Sequence, residues 1–81
     1  MSTQKLRVKS LSGQAKEAIL QYIEEMDLKT DNKLPREEAL AEMLGVSRIT
    51  IRQALNDLAA EGIIFRRQGR GTFVNVDSLN I

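Results

Sequence analysis

Two stretches with the apolar spacing of α-helices meet at Gly45-Val46-Ser47, and only those three residues lie between them. Glycine takes the left-handed conformation that ends a helix, and serine caps the start of the next. Two short helices joined by so short a turn form a helix-turn-helix. Before the break, a helix is expected to open at Pro35 or Arg36, because proline is tolerated in a first turn. Glu37 and Glu38 then sit where the helix dipole favours acids. Ala39, Leu40, Met43 and Leu44 form its expected buried stripe. After the break, Ile51, Ala54, Leu55 and Leu58 form the inward face of the next helix, which Gly62 ends. The small Ala41 lets the two helices approach, and Ile51 fills the space between them.

The flanks complete the unit. Leu11, Ala15, Ala18, Ile19, Tyr22, Ile23 and Met26 recur at helical spacing. They predict a first helix, capped by Ser10 or Ser12 and ending near Asp27 or Leu28. Pro35 pushes Leu34 toward extended geometry. Beyond Gly62 the pattern changes. Ile63-Ile64-Phe65 and Thr72 to Val76 flank the turn Gly69-Arg70-Gly71, which reads as a short hairpin with an arginine at its tip. The predicted fold is mainly α with a small β-hairpin, a winged helix-turn-helix of three helices plus a wing. Residues 1–10 are expected to be a flexible N-terminus, 11–76 the domain, and 77–81 the start of a linker or tail.

Composition removes several function classes. Eighty-one residues make one small domain with a thin core. The chain has no cysteine and no histidine, so disulfides, the usual zinc sites and the commonest general base are excluded. No catalytic role, metal or cofactor is expected. No apolar run approaches the ~18 residues of a membrane span. Met1 to Ser10 has lysines without the apolar core of a secretory signal. A cytoplasmic location without a membrane partner is the expectation.

The net charge of +1 is uninformative, but its distribution is uneven. Residues 1–16 carry +4, residues 17–46 carry −5, and residues 47–81 carry +2, with every C-terminal base an arginine. Arginine suits bidentate recognition of phosphate or guanine. Ser47, Arg48, Thr50 and Arg52 are the outward residues at the start of the third helix. Hydroxyls and guanidinium groups are what phosphate and base-edge contacts require, and helix N-terminal amides add a phosphate site. Arg70, between Gly69 and Gly71, is placed to reach phosphate or a minor groove. Strand alternation puts Arg66 and Arg67 on opposite faces of the wing. Arginines also form ordinary solvated surfaces, and a small residue, a glycine and an isoleucine recur at these spacings in many helical hairpins. The basic-tipped hairpin directly after the third helix favours nucleic acid.

Taken together, Leu34-Pro35-x-Glu37-x-x-Leu40-Ala41, Leu44-Gly45-Val46-Ser47-Arg48-x-Thr50-Ile51-Arg52-x-Ala54-Leu55, Leu58-x-x-Glu61-Gly62 and Arg67-Gln68-Gly69-Arg70-Gly71-Thr72-Phe73-Val74 resemble the N-terminal DNA-binding domain of the GntR family of bacterial transcriptional regulators. The resemblance covers about residues 11–76. It implies operator reading on double-stranded DNA. The recognition helix (about 47–61) would lie in the major groove and the wing (about 63–76) at the minor groove. It also implies a palindromic operator and a homodimer, formed on DNA or through a C-terminal domain. Family DNA contacts carry over to Ser47, Arg48, Thr50 and Arg52, and to Gln68, Gly69, Arg70 and Gly71. Family members have a larger C-terminal domain that binds a small effector, so this chain is expected to be an isolated or separated domain. One departure stands out. The family usually reads Pro-Ser-Glu-Arg where this chain reads Pro35-Arg36-Glu37-Glu38. Glu38 replaces an arginine that often touches DNA, and Arg36 is expected to substitute for it in part. The alternative function is protein–protein contact through the acidic residues 17–46. RNA binding is disfavoured, because single-strand readers stack bases on exposed aromatics and Tyr22, Phe65 and Phe73 are expected in the core.

Overall fold

The structure, a computed structural model, describes residues 10–79. The expectation of a flexible N-terminus therefore lies outside the described residues, apart from Ser10. Six elements follow in order: α1 (Leu11–Glu24), α2 (Glu37–Leu44), α3 (Arg48–Ala60), β1 (Ile64–Arg67), β2 (Gly71–Val74) and α4 (Val76–Leu79). Three helices and an antiparallel hairpin make a winged helix-turn-helix. The last turn, α4, begins at Val76, expected as the end of the wing, and continues into the segment expected to be linker or tail.

Ser10, not Ser12, caps α1, its Oγ accepting the Gly13 N–H at 3.1 Å. Ala15, Ile19 and Ile23 are buried four residues apart, as one helix face requires. Leu11, expected on that face, is exposed. The helix ends about three residues earlier than its apolar pattern predicts. The Glu25 and Met26 amides bond to carbonyls three residues back, at Tyr22 and Ile23. Asp27 then draws the chain into a turn: the Thr30 amide reaches its carbonyl at 3.0 Å and the Thr30 hydroxyl its carboxylate at 2.8 Å. A short polar side chain here outcompetes the helix for the backbone. Met26 and Leu28 still pack against the core from outside the helix.

Arg36, with extended φ −68° and ψ 160°, is the N-cap of α2, and its side chain makes no capping bond. The buried face of α2 is Leu40 and Ala41, with Leu44 half-buried. Ala39 and Met43, expected inside, are exposed, Met43 by 55%. α2 is eight residues long and packs on α3, and only the narrow side that carries Leu40 and Ala41 reaches the core. Gly45 closes α2 at φ +71°, and the amides of Gly45 and Val46 both reach the Ala41 carbonyl. Ser47 opens α3, its Oγ accepting the Thr50 amide at 3.1 Å. Ile51, Ala54, Leu55 and Leu58 of α3 are all 1% exposed or less and form the centre of the core.

In the hairpin, Ile64 pairs with Val74, Phe65 with Phe73, Arg66 with Thr72 and Arg67 with Gly71. Ile64 and Val74 turn inward and are buried. Phe65 and Phe73, expected in the core, lie on the opposite face, half-buried and stacked with centroids 5.7 Å apart. The two-residue period of the strands forces that separation once Ile64 faces in. Tyr22 does pack against the core. The linker before α2 lies along the free edge of β2: the Leu34 amide reaches the Thr72 carbonyl at 2.9 Å, and the Val74 amide reaches Asn32 at 2.8 Å. The wing is thereby fixed to the entry of α2.

The placement of Ala41 against α3 gives a direct test. Ala41→Leu should destabilise the domain by about 1–3 kcal/mol through overpacking. Ala39→Leu, on the exposed side, should change stability by less than about 0.5 kcal/mol. Urea unfolding of the two variants separates the observed stripe from the expected one.

Candidate nucleic-acid interface

The residues singled out at the start of α3 are near one another but differ in freedom. Ser47 is the cap, and its hydroxyl donates to the Thr50 hydroxyl at 3.0 Å, so the pair forms one polar knuckle. Arg48, the first residue of α3, is exposed and has no acidic partner among the described residues. Arg52, one turn on, is held. Its Nε donates to both carboxylate oxygens of Glu37, at 3.3 and 3.4 Å, and its Nη2 donates to Oε1 at 3.1 Å. That hydrogen bonding first, and the Glu37 charge second, raise the Arg52 pKa above its ordinary value.

Glu37 also reaches the wing. Its Oε2 lies 3.9 Å from Arg66 Nη2, while Arg66 Nη1 donates to Asn56 Oδ1 at 2.6 Å. One carboxylate at the start of α2 thus joins α3 and β1. Arg67 takes the other face of the strand, as alternation predicts, its guanidinium 5.3 Å from the centre of the Phe65 ring.

The wing turn is Gln68-Gly69-Arg70, closed by the Arg70 amide on the Arg67 carbonyl at 2.9 Å. Gly71 follows at φ +126°, where only glycine is comfortable, and a Cβ there would stand 2.9 Å from Lys33 Cε. Between this turn and the entry of α2 lies an open cleft of about 500 Å³. Lys33, Arg36, Arg66, Arg67 and Arg70 line it, with Glu37 as the single acid. The cleft gathers Arg36 with Gln68, Gly69, Arg70 and Gly71. Ser47, Arg48 and Thr50 do not line it, and Arg52 meets it only through Glu37. Glu38 lies outside, in a neighbouring groove with Ala39 and Glu42 that Arg36 also lines. Sequence reasoning missed Lys33 as a lining residue and Glu37 as a hub. The extended geometry imposed by Pro35 was the available signal for the first. The second depends on three elements meeting and had none.

No helix among the described residues is long and apolar enough to cross a membrane. The fold and the placement of its cations define a winged helix-turn-helix domain with one cationic side. The sequence model described as bacterial regulatory proteins, gntR family, matches residues 11–74. The chain belongs to that family. It is 45% identical over 62 residues to the HTH-type transcriptional repressor NagR of Bacillus subtilis (strain 168), an alignment covering 76% of this chain and 26% of that protein. The chain thus spans about a quarter of the length of that relative. Among solved structures it resembles the N-terminal domain of AraR in complex with mutant ORR3, at 40% identity and a TM-score of 0.73, covering 84% of this chain and 97% of that one. It also resembles the AraR DNA-binding domain in complex with operator ORR3, at 40% identity and a TM-score of 0.72, covering 83% and 81%.

Removing the hub carboxylate should loosen Arg52 without unfolding the domain. In Glu37→Ala, hydrogen exchange at the Nε–H of Arg52, which donates to that carboxylate, should accelerate when followed by NMR, while the Arg66 Nε–H, which does not, should change little. Unchanged exchange at Arg52 would mean that the Glu37 contact does not hold it in solution.

Proposed function

We propose that this chain is a sequence-specific double-stranded DNA-binding domain, the operator-reading part of a bacterial transcriptional regulator acting in the cytoplasm. The observation that carries the reading is the set of exposed cations without an acidic partner among the described residues, Arg48 on α3 and Arg36 and Arg70 at the cleft. In this reading α3 enters the major groove N-terminus first. Ser47 and Thr50 meet phosphate, and Arg48 and Arg52 reach base edges. Gln68, Gly69, Arg70 and Gly71 bring the wing to the adjacent minor groove. Glycine at two of these positions lets the backbone approach the duplex closely. Arg36 meets the phosphate backbone from the start of α2, in place of the arginine that Glu38 displaces. The similar AraR domains with operator DNA support this arrangement.

Binding to a palindromic operator would pair two copies about one helical turn apart. Pairing occurs on the DNA or through the remainder of a longer regulator, which would also take up any small effector.

Selection of duplexes from a random pool tests the reading. A palindrome should be enriched, and Arg52→Glu should abolish that enrichment. Arg48→Ala should weaken operator binding roughly ten- to a hundredfold while weakening random-duplex binding less, as a base contact requires. Equal losses on both would leave only a phosphate role. For Arg36, a phosphate contact predicts the opposite pattern. Arg36→Ala should weaken all duplexes alike, and its plot of log affinity against log salt should be shallower by about 0.9.

A further inference from the structure

Ile49 stands in the middle of the α3 face that the core leaves free. At 3.6 residues per turn it lies about 160° round the helix from the buried Ile51. Gln53 and Asn56 are exposed on the same outward stripe. Ile49 is 66% exposed, more than Leu11, Met43 or Val76, the other exposed large apolar side chains among the described residues. Those three lie on α1, α2 and α4. A single exposed isoleucine is ordinary on a protein surface. Its placement here is not. It occupies the first turn of α3, between Arg48 and Arg52 in sequence and two residues after the Ser47 cap, at the centre of the face that those polar groups frame. An isoleucine is also a poorer helix former than alanine, so the position gains nothing in helix propensity from it.

The major groove presents one apolar group, the 5-methyl of thymine; the other distinguishing groups there are hydrogen-bond donors and acceptors. A donor or acceptor pressed against Ile49 would lose its water and gain no hydrogen bond. A methyl would gain apolar contact. We propose that Ile49 is a specificity-determining residue that packs on the 5-methyl group of a thymine in each operator half-site. The inference rests on the major-groove reading of α3 given above.

Replacing thymine by deoxyuridine removes that methyl and nothing else. With an operator enriched by the 81-residue chain, each thymine is exchanged in turn, symmetrically in both half-sites. At one position the exchange should weaken binding about fourfold per methyl lost, the value expected for burying one such group. In Ile49→Ala the methyl and uridine duplexes should bind equally. Ile49→Val, which keeps a branched apolar surface, should retain most of the preference. Alanine at an exposed helix position favours the helix, so loss of folding does not confound the comparison. Wild-type binding indifferent to every uridine exchange overturns the proposal, as does an unchanged methyl preference in Ile49→Ala. Those results, on an operator whose binding still requires Arg52, would count against Ile49 alone. If no operator is enriched, or if Arg52→Glu leaves binding intact, the major-groove reading falls and takes this inference with it.

Discussion

The four buried side chains of α3, Ile51, Ala54, Leu55 and Leu58, are the surface on which the rest of the domain is assembled. α1 packs on them from one side, α2 from another, and β1 continues from their C-terminal end. A domain of this size has little apolar surface to bury, so one helix must serve as the shared partner of all the others. The consequence is structural and functional together. α3 is thirteen residues long, and its inward stripe is fully used. Its outward face therefore projects on a rigid support and carries Ile49, with the exposed Arg48 and Arg52 along one flank.

Charge organises the border of this face. The entry of α2, the outward face of α3 and β1 bring Arg52 and Arg66 toward one another, and Glu37 stands between them. An exposed ion pair contributes little to stability. Its effect here is geometric: two long, flexible cations are held in fixed positions beside the basic cleft. Salt screens such a pair, and a phosphate offers both arginines a competing anion. The acidic middle of the chain, net −5 over residues 17–46, is thus not a separate working surface throughout. One of its acids serves the basic side.

Much of this was legible in advance. The Gly45 break, the Ser47 cap and the α3 stripe follow from local chemistry, since left-handed backbone, side-chain capping and 3.6-residue periodicity act within a few residues. The hairpin itself follows from two short β-forming runs around a glycine-rich turn; its register was not read from them. Errors arose where a choice between faces depended on a distant partner. Ala39 and Ala41 are chemically equivalent in α2, and only contact with α3 selects Ala41. Phe65 and Phe73 are apolar enough for the core, but inward placement of Ile64 and Val74 leaves them stacked on the outer face. The end of α1 was misplaced because Met26 and Leu28 pack, half-buried, against the core without being helical.

By itself, then, the sequence determined the order of the three helices and the hairpin, the helix-turn-helix break, the wing and the arginines available to it. Each of these rests on interactions between residues close in the chain. Tertiary structure decided that Lys33 lies along β2, that Glu37 holds Arg52 and approaches Arg66, and that Arg36 shares a cleft with the wing tip. Those contacts join residues fifteen to forty positions apart. No local propensity encodes such a pairing. It appears only after burial of the α3 stripe has fixed the directions in which α2 and the wing can lie.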